Sequence, residues 1–273
     1  MTILHVCTAF DRSFKIPASV MMRSVVENSQ HRIHFHLLIP KSEGGINAKF
    51  FDDFPLPSDC DFSVYRIENE NFTKELRMKG IQHFSDAAIF RLFMTDYLPK
   101  SIDRVLYLDG DLYVNLDIFD IFEKYSDGVF SARIENLASG YFNSGVFLTS
   151  LNYWRDHTVT KQLVNFLRQN PGLEYKDQDS LNYVFESKNL PLDNLYNFPF
   201  ENFRYFKSSN LADCIFHFTG SIKPWKSHAP RVFPVNLWRD TYSDIYNSRV
   251  SLQKVRWSLF KKSVIWVRLL TKF

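Results

Sequence analysis

Apolar and polar positions follow two rhythms along this chain, and the two rhythms take turns. Residues 2–8 form an apolar run of strand length, Pro17 opens a helical stretch through Val26, and residues 33–39 form a second strand-like run. A helix at residues 46–54 and a strand at 62–67 complete a βαβαβ start. From Ser85, a residue able to cap a helix, through Tyr97, the apolar positions Ala88, Leu92 and Leu98 fall at helical spacing. Residues 105–108 are short and wholly apolar, the pattern of a central strand buried on both faces. Further on, residues 129–132, 145–149 and 214–218 read as strands, and residues 151–169 and 178–187 as helices. Alternation of this kind predicts an α/β fold with helices flanking a sheet, not a bundle or a sandwich. One domain over residues 1–240 is expected, followed by a separate tail at 241–273.

Composition changes this picture little, with one exception. Hydrophobic residues make up 45% of the chain and aromatics 16%, with 27 Phe, so a sizeable core can form and a disordered chain is excluded. Cys7, Cys60 and Cys214 are far apart and odd in number, which argues against a disulfide framework or a cysteine zinc cluster. A net charge of +3 is too small to suggest a nucleic-acid partner. The exception is its distribution. After Asp244 no acidic residue occurs, while Arg249, Lys254, Arg256, Lys261, Lys262, Arg268 and Lys272 are interleaved with apolar residues that include Trp257 and Trp266. That pattern predicts a basic amphipathic helix on the inner, anionic face of a cytoplasmic membrane; a helix packed on the domain with solvated charges is the alternative. With no signal peptide and no spanning segment in the sequence, the expected location is cytoplasmic and peripheral.

Three Asp-x-Asp triplets are candidates for chemistry: Asp59-Cys-Asp61, Asp109-Gly110-Asp111 and Asp177-Gln178-Asp179. Only the second directly follows an apolar strand, so its carboxylates would emerge at the carboxyl end of a sheet strand, where open α/β sheets bind ligands. Two adjacent carboxylates repel unless a cation lies between them, and Mg²⁺ or Mn²⁺ would fill that role. The same stretch also fits a haloacid-dehalogenase-type phosphatase, with the first Asp as nucleophile. That reading is weakened by its mid-chain position and by the lack of a late Gly-Asp-x-x-x-Asp cluster. A further cluster, His217-x-x-Gly220-x-x-Lys223-Pro-Trp225, puts an imidazole, a flexible glycine and a cation within seven residues.

Taken together, six motifs resemble glycosyltransferase family 8, specifically its bacterial lipopolysaccharide galactosyl- and glucosyltransferases. They are Phe10-Asp11-Arg-Ser-Phe14, His83 with Arg91, Leu106-Tyr-Leu-Asp-Gly-Asp111, Phe142-Asn143-Ser-Gly-Val146, Asp177-Gln178-Asp179 and the His217 to Trp225 cluster. The resemblance implies a GT-A-type fold with a Rossmann-like mixed sheet, a UDP-hexose donor, Mn²⁺ (with Mg²⁺ as the alternative) and retention of anomeric configuration. By position, Asp109, Asp111 and His217 would hold the metal, with Gly110 in the same motif. Gly220 and Lys223 would meet the phosphates, and Thr8 and Asp11 the uridine. His83, Arg91, Asn143, Asp177 and Gln178 would line the donor sugar, with Gln178 near the reacting face and Asp177, Gln178 and Lys223 as the catalytic set. Glu135 stands where the family has a further sugar-binding acid. The opening departs from the commoner Asp-Asp-Asn-Tyr of the family. The acceptor would be an oligosaccharide or a lipid-linked saccharide, and a non-catalytic sugar-binding module is the remaining rival.

Overall fold

A computed structural model describes residues 2–41, 60–68, 72, 75, 86–173, 175–201 and 213–246. The chain divides into two compact units between Thr219 and Gly220.

The first unit opens with β1 (Ile3–Ala9), helix α1 (Lys15–Asn28) and strands β2 (Arg32–Pro40) and β3 (Cys60–Ile67). The carboxylate of Asp11 caps the turn before α1 by accepting from the Ser13 and Phe14 amides, and Pro17 sits in the first turn of the helix, where its missing N–H costs nothing. After α2 (Asp86–Phe90) and α3 (Met94–Tyr97) come β4 (Arg104–Leu108), β5 (Leu112–Val114), α4 (Phe119–Lys124), β6 (Phe130–Asn136) and β7 (Tyr141–Ser150). Helices α5 (Leu151–Asp156), α6 (Val159–Gln169) and α7 (Asp177–Phe185) follow, then strands β8 (Phe198–Pro199) and β9 (Ile215–His217). The main sheet has six strands in the order β3-β2-β1-β4-β7-β6, and β5, β9 and β8 form a small second sheet. β3, β2, β1 and β4 are parallel, whereas β7 runs antiparallel to both β4 and β6. The sheet is therefore mixed.

Pleating sends alternate residues of β4 to opposite faces. Val105 and Tyr107 join one core with Phe130, Phe142, Phe147, Trp154 and Phe185, while Leu106 and Leu108 join another with Phe35, Leu37, Met21 and Ile215. Phe130 stacks on Phe185 at 4.2 Å between ring centroids, tying β6 to α7.

Three expectations need correcting or placing. The helix expected at 151–169 is two helices, because Thr158 adopts a left-handed φ of 49° between them. The helix expected at 85–97 tightens into a 3-10 turn at Arg91–Phe93, where Arg91 leaves the helix surface for the interior. The helix expected at 46–54 lies outside the described residues.

The second unit contains α8 (Phe233–Tyr246), so the limit expected at residue 240 falls inside a helix. Trp238 is buried and packs on Trp225 and Tyr242, with centroids 5.5 and 5.6 Å away. Arg239 donates to the carbonyls of Pro224 and Lys226 at 3.1 and 3.2 Å, which holds the Lys223 to Lys226 turn against α8. Of the basic tail, residues 247–273 lie outside the described residues.

Candidate active site

β4 delivers Asp109 to the carboxyl edge of the parallel strands. The Asp109 amide donates to the Gly145 carbonyl at 2.8 Å, adding a bond at the end of the β4–β7 ladder. Beyond Gly110 the chain enters β5, where Leu112 pairs with His217 of β9. The Phe218 amide donates to the Asp111 carbonyl at 3.0 Å. Residues more than a hundred positions apart thus meet through backbone pairing.

His217 Nε2 lies 3.4 Å from Asp111 Oδ1 and 4.0 Å from Asp109 Oδ2. One ligand atom from each of Asp109, Asp111 and His217 falls within 4.8 Å of the others. Burial raises the pKa of Asp109, against the pull of Arg91, and the neighbouring Asp111 adds to the rise. A divalent cation would supply the missing opposite charge, and two carboxylates with an imidazole suit one. Gly145 makes the room. A Cβ there would stand 2.2 Å from His217 Cε1 and 2.9 Å from Asp109 Oδ2.

Arg91 links the two acidic motifs. Its Nη2 is 2.8 Å from Asp109 Oδ1, its Nε is 3.2 Å from Asp177 Oδ2, and its Nη1 donates to the Ser144 carbonyl at 2.8 Å. Its guanidinium carbon also lies 4.6 Å from the centre of the Tyr107 ring, whose hydroxyl donates to Asp109 Oδ1 at 3.1 Å. Burial pushes the Asp177 carboxyl up to about 6, with Arg91 opposing the shift. Gln178, next on α7, accepts from the Ser144 amide through Oε1 at 3.0 Å.

The orientation of the His217 ring follows from a chain of amides. Asn143 Oδ1 accepts from the Gly145 amide at 3.0 Å and therefore also accepts the Asn197 side-chain N–H, at 2.9 Å. That leaves Asn197 Oδ1 facing His217 Nδ1 at 2.9 Å, so Nδ1 is the donor to the amide and Nε2 is the nitrogen turned to the carboxylate side.

The family model described as glycosyl transferase family 8 matches residues 5–229. The chain belongs to glycosyltransferase family 8. Among curated relatives, a lipopolysaccharide 1,2-glucosyltransferase of Escherichia coli K12 is 26% identical over 85% of this chain and 75% of its own length. A lipopolysaccharide 1,3-galactosyltransferase of Salmonella typhimurium is 23% identical over the same shares. The pneumococcal glycosyltransferase GlyF is 27% identical, and the match spans 93% of this chain but only 65% of GlyF. The solved galactosyltransferase LgtC, in complex with donor and acceptor sugar analogs, superposes with a TM-score of 0.72 at 21% identity, over 95% of this chain and 99% of LgtC. The fold is thus the GT-A type, and the protein is a glycosyltransferase. Family membership removes the phosphatase reading, and Asp109, already held by Arg91 and Tyr107, is poorly placed for a nucleophile.

Of the residues expected at a family-8 site, Asp109, Asp111, His217, Arg91, Asn143, Asp177 and Gln178 come together. Asp11 is engaged in its cap, and Thr8 is fully buried in β1 with no partner for its Oγ1 among the described residues. His83 lies outside the described residues, and Gly220 and Lys223 belong to the second unit. Sequence reasoning did not single out Asn197, Tyr107, Ser144 or Gly145. The last three sit inside motifs already recognised, whereas Asn197, in a 3-10 turn, carries no signal of its own.

Proposed function

We propose that this chain moves a hexose, glucose or galactose, from a UDP-sugar to a saccharide acceptor of a bacterial surface glycan such as lipopolysaccharide, retaining anomeric configuration and using Mn²⁺. The observation that carries the proposal is the meeting of Asp109, Asp111 and His217 beneath Gly145, beside the Arg91–Asp177 pair and Gln178. The named activities of the relatives supply the sugar class and the acceptor.

Asp109, Asp111 and His217 would hold the cation, which would supply positive charge opposite the negative charge that grows on the departing diphosphate. Asn197 keeps Nε2 of His217 turned toward the carboxylates, and Arg91 fixes Asp109 and Asp177 with one planar fork. Retention by a covalent route needs a carboxylate nucleophile. Gln178 carries an amide whose oxygen is engaged by Ser144, and the Asp177 carboxylate is held by Arg91. Both are ill-suited to that task. The acceptor hydroxyl therefore attacks from the face that UDP leaves, and a diphosphate oxygen takes its proton. By sequence position alone, Gly220 and Lys223 serve the diphosphate, Thr8 and Asp11 the uridine, and His83 the sugar.

Incubating the protein with a panel of UDP-sugars and Mn²⁺, and measuring donor hydrolysis, tests the reading. UDP-glucose or UDP-galactose should turn over, and Asp111→Asn should lower the rate by ~10²-fold or more. Turnover confined to a different nucleotide sugar would overturn the donor assignment, and binding without turnover would leave a sugar-binding module.

The proposal extends to place. No helix among the described residues is long and apolar enough to cross a membrane. The basic, Trp-containing sequence after Asp244 supports peripheral attachment at the cytoplasmic face, near a lipid-linked acceptor. Removing residues 245–273 should abolish binding to anionic vesicles and leave donor hydrolysis intact.

A further inference from the structure

A second group of ligand-type side chains lies away from the carboxylate site. His5 of β1 is in register with His34 of β2, and His36 follows two residues later, so all three project from the same face of the sheet. One ring nitrogen from each lies within 4.8 Å of the other two. His5 Nδ1 and His36 Nε2 are 3.0 Å apart, and the His34 and His36 rings stack at 4.5 Å. Outer partners are already present. The Tyr65 hydroxyl lies 3.0 Å from His36 Nδ1 and the Ser63 hydroxyl 2.9 Å from His34 Nε2. Each such bond occupies one imidazole nitrogen and orients the other, as the outer shell of a metal site does.

We propose that His5, His34 and His36 form a second metal site, specific for a late first-row cation such as Zn²⁺ or Ni²⁺, which clips β1 to β2. Three imidazoles without a carboxylate favour that class over Mn²⁺, the weakest binder of the divalent series. The dimensions fit. Two nitrogens about 2.0–2.1 Å from a tetrahedral Zn²⁺ stand about 3.4 Å apart, so the 3.0 Å contact needs only a few tenths of an ångström of opening. Access fits as well, because His36 is buried whereas His5 and His34 are only half-buried. The two metal sites are separate. Val6 and Cys7 of β1 pair with Leu106 and Tyr107 of β4, which sets His5 beside Val105, about 13 Å along the strand direction from Asp109 at about 3.3 Å per residue.

The test is calorimetric titration of Zn²⁺ into the EDTA-stripped full chain, with His5→Ala, His34→Ala and Asp111→Asn alongside. The wild type should take up one equivalent more than either histidine variant, and Asp111→Asn should keep that equivalent. At a free Zn²⁺ concentration of 100 times the Kd of this site, the folded-to-unfolded ratio of Asp111→Asn should rise about 100-fold in urea titrations, a gain absent when His34→Ala is added to Asp111→Asn. Both histidines are half-buried, so their variants should fold and retain Mn²⁺-dependent donor hydrolysis, which is read separately. Equal Zn²⁺ uptake by wild type and His34→Ala would overturn the proposal. So would loss of all uptake in Asp111→Asn, since the 3.0 Å contact would then be held by a proton alone.

Discussion

Asn197 Oδ1 stands 2.9 Å from His217 Nδ1, and this contact decides which nitrogen of the ring faces Asp111. The amide is not itself a ligand, yet it removes the wrong tautomer from the site. Asn197→Ala should therefore weaken Mn²⁺ binding about 10- to 100-fold, the usual effect of losing an outer-shell partner. The measurement is metal-dependent activity across a Mn²⁺ series; an unchanged half-saturation point would refute the role.

Arg91 is buried and paired with two carboxylates, so removing its charge leaves Asp109 and Asp177 without their common partner. Arg91→Ala should cost about 3–5 kcal/mol in a urea titration of the metal-free protein, as breaking other buried pairs does. Arg91→Lys should keep part of that stability but lose donor hydrolysis, because an ammonium cannot reproduce the fork that spans Asp109, Asp177 and the Ser144 carbonyl. Full activity in the lysine variant would show that the fork is dispensable.

Gly145→Ala places a methyl group 2.2 Å from the His217 ring. The ring must shift, since the Gly145 backbone is tied to the Asp109 amide on one side and to Asn143 Oδ1 on the other. The variant should keep its far-ultraviolet circular dichroism and lose Mn²⁺-dependent turnover. Wild-type turnover would mean that His217 does not need its present position.

The parallel half of the sheet was legible because buried strands leave short apolar stretches, unbroken in Val105 to Leu108 and interrupted only by His34 and His36 between Ile33 and Ile39. The break at Thr158 was not, since its neighbours keep helical spacing and only the backbone angle of one residue departs. Short β5 and β8 gave no periodicity to read. At the site, the placing of Asp109 and Asp111 at the carboxyl end of β4 follows from motif and strand. Asn197 acts only through its neighbours Asn143 and His217, and nothing in its surrounding sequence specifies them.

The attachment of the acidic pair has a practical consequence. Asp109 hangs from Gly145 of one strand, and Asp111 receives Phe218 next to another, so both are positioned by main-chain bonds within two sheets. Those anchors are indifferent to the side chains of the loops around them. Substitutions in those loops can thus change the surroundings of the two carboxylates without moving them, which makes this edge of the sheet a fixed frame inside a variable border.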